Sequence, residues 1–150
     1  MTRIVFLLIS LAAWYDSAVA EPLLLPADKA FKLAKSGEIL LLDIRSPQEW
    51  QQTGVPRGAV ALTMHTSKDV FYRRVLAAVG RDKTKPIAVI CAAGNRSRWA
   101  SNFLTQRGFS RVANVGEGHF GNHKLPGWRA RGLPVQKPGR SPRVLVLGLF

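Results

Sequence analysis

The sequence predicts an α/β domain with a mainly parallel central sheet flanked by helices. Three observations carry this. Short apolar runs alternate with amphipathic stretches along the chain, the pattern of strand and helix taken in turn. The runs Ile39–Ile44 and Ile87–Cys91 are apolar almost throughout, as strands covered on both faces require. Gly37, Gly80 and Gly108 stand just past the amphipathic stretches, where a left-handed residue closes a helix.

Taken in order, Leu23-Leu24-Leu25 is a short strand, and Ala27 to Ser36 is a helix with Ala27, Ala30, Phe31 and Ala34 on one face. Ile39 to Ile44 is a central strand. Ser46-Pro47-Gln48-Glu49 combines a capping serine, a proline at the first helical position and a glutamate three residues after the cap, so a short helix starts there. Ala59 to Leu62 is the next strand. Ser67 to Val79 reads as a helix that turns Val70, Phe71, Val75 and Val79 inward. Ile87 to Cys91 is the third main strand, and Ser97 to Arg107 a helix with Ala100, Phe103 and Leu104 on one face. Trp99 points away from that stripe. Val112 to Val115 completes the set, and Trp128 is expected to cover the edge of the core.

The only cysteine, Cys91, lies at the carboxyl end of a predicted strand, where ligands bind in open α/β sheets. Ahead of it lies a helix start, whose unpaired N–H groups and aligned peptide dipoles favour an anion. Gly94 allows a tight loop with converging N–H groups, and Arg96 and Arg98 add positive charge for an anionic substrate. The plain alternative is a small buried hydrophobe at a strand end. The glycine, the arginines and the helix start together favour a nucleophile.

These residues resemble a family. Cys91-Ala92-Ala93-Gly94-Asn95-Arg96-Ser97 is similar to the active-site loop of single-domain rhodaneses, sulfurtransferases that carry sulfane sulfur as a cysteine persulfide. Upstream, Leu42-Asp43-Ile44-Arg45-Ser46-Pro47-Gln48-Glu49-Trp50, then Gly54 and Gly58-Ala59, resembles the family's first signature. Downstream, Gly108-Phe109, Val112, Val115, Gly116, Gly118, Trp128 and Gly132-Leu133-Pro134-Val135 follow the order of its C-terminal signature. Val55 stands where the first signature usually carries a histidine, and the stretch from Gly116 to Trp128 is longer than in the shortest members.

The resemblance implies a rhodanese-like domain and a double displacement. Cys91 would attack the outer sulfur of a small anionic donor such as thiosulfate, and a thiol or other thiophilic acceptor would then take the sulfur. Ala92, Ala93, Gly94, Asn95, Arg96 and Ser97 would bind the substrate. Asp43, Arg45 and Glu49 would tie the strand end to neighbouring loops, a structural role in keeping with the scarcity of unpaired buried charges. No cofactor and no metal are expected. His119 and His123 are four apart, but Gly118 and Gly121 argue against the helix that would aim both at one ion; either could instead line the pocket mouth. Cysteine phosphatases resemble the same site with one residue more between cysteine and arginine, whereas four stand here, which favours a single sulfur over phosphate. A non-catalytic module that senses oxidation or persulfides through Cys91 is the reading from a different class.

Residues 1–20 read as a secretory signal peptide, with basic Arg3, an apolar stretch Ile4–Tyr15 and Ala18-Val19-Ala20 as a small-residue cleavage site. That stretch is too short for a spanning helix, so an exported, periplasmic protein without stable membrane insertion is expected. Export leaves one cysteine with no internal disulfide partner. The rhodanese-like domain is assigned to 21–135 and a basic, then apolar, tail to 136–150, of which Val144–Phe150 has no place in the family pattern. Charge is lopsided: residues 83–150 carry 12 basic side chains against Glu117 alone, in a chain of net charge +13. Such a field can attract nucleic acid or an anionic membrane surface or steer a small anion to a cleft, and a basic solvated surface is the plain alternative; nucleic acid is not expected as a partner of an exported protein, and no aromatic-and-basic reader motif for it is present.

Overall fold

The computed structural model describes residues 21–139; the signal-peptide reading and most of the assigned tail lie outside them. The elements are β1 (Leu23–Leu24), α1 (Ala27–Ser36), β2 (Leu40–Asp43), α2 (Pro47–Thr53), β3 (Val55–Pro56), β4 (Ala59–Ala61), α3 (Lys68–Ala78), β5 (Ile87–Ile90), α4 (Asn95–Gln106), β6 (Val112–Asn114) and β7 (Val135–Gln136). Five strands form one sheet in the order β1-β6-β5-β2-β4, every pair parallel. The central strand is β5, whose four residues are all buried, which is why Ile87–Ile90 reads as a continuous apolar run.

Side chains alternate along these strands and sort the core into two layers. Leu42, Ile44, Val89 and Cys91 pack with Phe71, Val75, Phe103 and Leu104 of α3 and α4. Leu41, Ala88 and Ile90 face α1 and two tryptophans, Trp50 and Trp128. Six alanines in this second layer leave room for the indoles. Trp128 is fully buried, edge-on to Phe31 at 5.7 Å, with its Nε1 donating to the Pro134 carbonyl at 2.9 Å. It therefore belongs to the core itself, deeper than the edge position expected of it.

Helix ends follow local chemistry. Gly37 closes α1 at φ 78°, and Ser46 with Glu49 forms a complete capping box at α2. Ser67 caps α3, with Phe71, Val75 and Val79 buried and Val70 only half-buried. Two features differ from the sequence reading. Helix α4 begins at Asn95, two residues before Ser97, because Gly94 at φ 97° turns the chain into the helix immediately. Asn95, Arg96 and Ser97 are therefore the helix's first turn. A two-stranded antiparallel pair, Val55 with Gln136 and Pro56 with Val135, also forms. Val55, in the position where a histidine is usual, is a buried member of that pair, and the pairing runs across the 135/136 point taken as the start of the tail.

Candidate active site

Strand β5 delivers Cys91 to the carboxyl edge of the sheet, and three loop residues separate it from α4. The thiol is 1% exposed and forms the end of the α3/α4 core layer. The Gly94 N–H donates to Sγ at 3.2 Å, and the Ser97 hydroxyl lies 3.4 Å from it, a contact in which either group can be the donor. Ser97 Oγ is also 3.1 Å from the Gly94 carbonyl. Its single proton has two acceptors to choose between, and ionising the sulfur turns it toward Sγ. Asn95, Arg96 and Ser97 add the unpaired N–H groups of a helix's first turn.

The loop is held from outside by its carbonyls. His119 N–H donates to the Cys91 oxygen at 2.8 Å, Phe120 N–H to Ala92 at 2.9 Å, and Asn122 Nδ2 to Ala93 at 3.3 Å and Gly116 at 3.1 Å. A β-carbon on Gly94 would overlap the Gly116 carbonyl oxygen. The stretch from Gly116 to Trp128 thus clamps the cysteine loop by two backbone N–H bonds and the Asn122 side-chain amide, which hydropathy does not report. Ala92 is half-buried, while Ala93 and Asn95 are exposed.

Asp43 and Arg45 form a fully buried pair at the end of β2. Arg45 Nη2 meets Asp43 Oδ2 at 2.7 Å and the Gly54 carbonyl at 2.7 Å, while Nη1 donates to Thr53 Oγ1 at 2.9 Å. These bonds join β2 to the far end of α2. They leave no charge for substrate.

Arg96, expected to add positive charge for an anionic substrate, is paired with Glu49 in this structure. Its Nη2 and Nη1 donate to Glu49 Oε1 at 2.6 Å and Oε2 at 2.9 Å, and Nη1 lies 2.9 Å from His65 Nε2. The Arg96 hydrogen bond holds the Glu49 carboxyl down at about 2, against 4.5 ordinarily, with Ser46 helping and partial burial opposing. Glu49 therefore serves both the α2 cap and the first turn of α4, and it offsets part of the Arg96 charge. His65 was not anticipated as a site neighbour; no spacing connects it to Arg96 across 31 residues.

The two histidines of the 116–128 stretch part company. His119 is fully buried with neither ring nitrogen hydrogen-bonded, whereas His123 is exposed. Burial above all, with the charges of Arg45 and Arg129, pushes the His119 pKa down to about 3. Among the described residues no three His, Cys, Asp or Glu side chains are grouped to hold a metal ion. Glu117 carries a role that its sequence position hides: its Oε1 accepts the Ala27 N–H at 2.8 Å, capping α1 from 90 residues away, and it meets Arg131 at 3.3 Å. The one available sign was a helix preceded by Pro26, which has no capping side chain.

A parallel α/β sheet with one cysteine at a strand's carboxyl end, facing the start of the next helix, is the architecture of rhodanese-like domains. The family model of the rhodanese-like domain matches residues 26–121, and the chain belongs to that family. A sulfurtransferase of Allochromatium vinosum is 32% identical over 107 residues, covering 71% of this chain and 87% of the relative. An uncharacterised protein of Rickettsia conorii is 32% identical over 114 residues, 72% of this chain and 92% of its own length. Among solved structures, that of M. tuberculosis Rv0390 superposes with a TM-score of 0.62 at 27% identity, covering 79% of this chain and 99% of that one.

Proposed function

We propose that this protein is a sulfurtransferase that moves sulfane sulfur from thiosulfate, or a similar small anionic donor, through a persulfide on Cys91 to a thiol or other thiophilic acceptor. The observation that carries this reading is the sole cysteine facing the Gly94 N–H at 3.2 Å in front of α4. The Cys91 thiolate attacks the outer sulfur of thiosulfate, the sulfur–sulfur bond of the donor breaks, and sulfite leaves with the electron pair. The terminal sulfur of the persulfide then lies among the N–H groups from Ala92 to Ser97, with Arg96 at the rim orienting the donor. Acceptor attack on that sulfur returns Cys91 as thiolate. The Ser97 hydroxyl stabilises the anion without acting as a separate base. Work outside the cytoplasm is part of the reading, supported by the basic, apolar and small-residue pattern of residues 1–20.

The burial of Cys91 favours one other reading, a module that senses oxidants or persulfides without turnover. Thiosulfate-to-cyanide transfer separates the two: multiple turnovers by the wild type and none by Cys91→Ser support transfer. One stoichiometric event without turnover supports sensing. Cys91-dependent hydrolysis of a phosphate ester would overturn both.

A further inference from the structure

We propose that His65 is a positioning residue for the sulfur donor: its Nε2 fixes the plane of the Arg96 guanidinium, and so the direction in which Arg96 presents its free N–H groups to an anion. The inference rests on the sulfurtransferase reading and adds a residue from a loop that no motif marks. His65 is exposed and lies in the segment that follows β4. Because β4 and β5 both run parallel to β2, that segment and the cysteine loop leave the sheet at the same edge.

Hydrogen counting sets the state of the imidazole. A guanidinium can only donate, so at 2.9 Å from Arg96 Nη1 the His65 Nε2 is the acceptor, bare of hydrogen, and Nδ1 carries the ring proton. Arg96 Nη1 gives its other hydrogen to Glu49 Oε2, and Nη2 gives one to Glu49 Oε1. The Nε–H and the second Nη2 N–H are left without a partner among the described residues. Those two are what Arg96 can offer the oxygens of a donor such as thiosulfate. Glu49 holds one edge of the guanidinium, about which the planar group can still rock; an acceptor on a second element removes that freedom. Displacement at sulfur needs this, since small errors in aiming a substrate cost much of the rate.

The backbone that carries His65 is itself fixed. The His65 N–H donates to Thr63 Oγ1 at 3.1 Å, the Met64 N–H to the Ile44 carbonyl at 3.1 Å and the Leu62 N–H to the Asp43 carbonyl at 2.9 Å. Met64 packs against the core layer that contains Cys91. The loop is thus tied to the end of β2 on the cysteine's side of the sheet. Arg96 in turn lies within electrostatic reach of the sulfur: the Glu49 hydrogen bond foremost, then the charges of Glu49, Cys91 and Asp43, hold its pKa above the ordinary value against partial burial. The His65 ring makes no other hydrogen bond among the described residues, so Arg96 alone accounts for its orientation.

Spectroscopy and kinetics together test the assignment. Above about pH 8, where imidazoles are ordinarily neutral, nitrogen NMR of the full chain should show His65 with a protonated Nδ1 and a bare Nε2, the reverse of the tautomer that free histidine prefers. Arg96→Ala should restore the free-histidine form. In His65→Ala, kcat/KM for thiosulfate should fall about fivefold, and discharge of the preformed persulfide to 2-mercaptoethanol, a thiol with no charge for Arg96 to hold, should not share the loss. His65→Gln, whose amide oxygen can accept in place of Nε2, should recover most of it. Both variants should keep the wild-type circular dichroism, as surface substitutions usually do. A protonated Nε2, unchanged thiosulfate kinetics in His65→Ala, an equal loss in both half-reactions, or no recovery with glutamine overturns the proposal. If persulfide forms equally well in wild type and His65→Ala, the His65 assignment falls and sulfur transfer stands. If the wild type forms no persulfide, sulfur transfer falls and the donor role of His65 with it, while the tautomer still reports whether His65 holds Arg96.

Discussion

Replacing Glu49 with glutamine removes a charge on which two helices depend. The carboxylate accepts the Ser46 N–H at 2.8 Å, closing the α2 cap, and takes both Arg96 nitrogens at the start of α4. Glutamine keeps an oxygen for the cap and loses the ion pair. With the two side chains 25% and 30% exposed, solvent screening holds the pair to about 1 kcal/mol, the upper end for surface pairs, because its geometry is bidentate. For a domain of this size that is roughly 3 to 6 °C in Tm. Glu49→Ala also opens the capping box and should lose about 1 kcal/mol more. The effect has a pH signature. The folded carboxyl titrates near 2 and the unfolded one near 4.5, so between these values the unfolded chain binds more protons and stability falls as pH falls. The pair's contribution is full above pH 4.5 and fades toward pH 2. Thermal melts of wild type and Glu49→Gln should therefore differ at pH 6 and converge toward pH 2.5, and Glu49→Gln combined with Arg96→Ala should cost less than the two separately. Parallel pH curves, or additive single variants, would refute the reasoning.

Two further outcomes are expected. Gly94→Ala forces a β-carbon into the left-handed region at φ 97° and against the Gly116 carbonyl. It should lose about 2 kcal/mol of stability and, by displacing the N–H on Sγ, about 100-fold in kcat; a wild-type Tm and rate would remove Gly94 from the site. His119, with a folded pKa near 3 against 6.5, should stay neutral in NMR titrations down to pH 4.5. The unfolded chain then takes up the extra proton between those values, so stability declines as pH drops below 6.5. His119→Phe should flatten that decline, and an imidazole titrating near 6.5 in the folded protein would contradict the burial argument.

What the sequence disclosed, and what it hid, divides by distance along the chain. The bounds of α1 were legible because Gly37 ends it, and α2 because Ser46, Pro47 and Glu49 state its start. Cys91 and its loop were legible because strand, glycine and helix fall within ten residues. The start of α4 was misplaced by two residues because the loop was read through to Arg96, whereas Gly94 already turns the chain. The β3–β7 pair was missed because two-residue strands have no periodicity to read. Glu49 with Arg96 spans 47 residues and Glu117 with Ala27 spans 90; contacts of that kind are made by the fold, and while the capping pattern placed Glu49 at the start of α2, only a resemblance tied it to a neighbouring loop beforehand. The 116–128 stretch hid most, since two of its three bonds to the cysteine loop come from backbone N–H groups, which every residue but proline has, and the third from the Asn122 side-chain amide.

The central claim is that Cys91 carries sulfur covalently, and intact-mass spectrometry of the protein after incubation with thiosulfate tests it most directly. The account predicts a gain of about 32 Da, one sulfur atom bound by the attacking thiol, lost on adding cyanide and absent in Cys91→Ser. No adduct on the wild-type protein, or an adduct of the same mass that persists in Cys91→Ser, would contradict it.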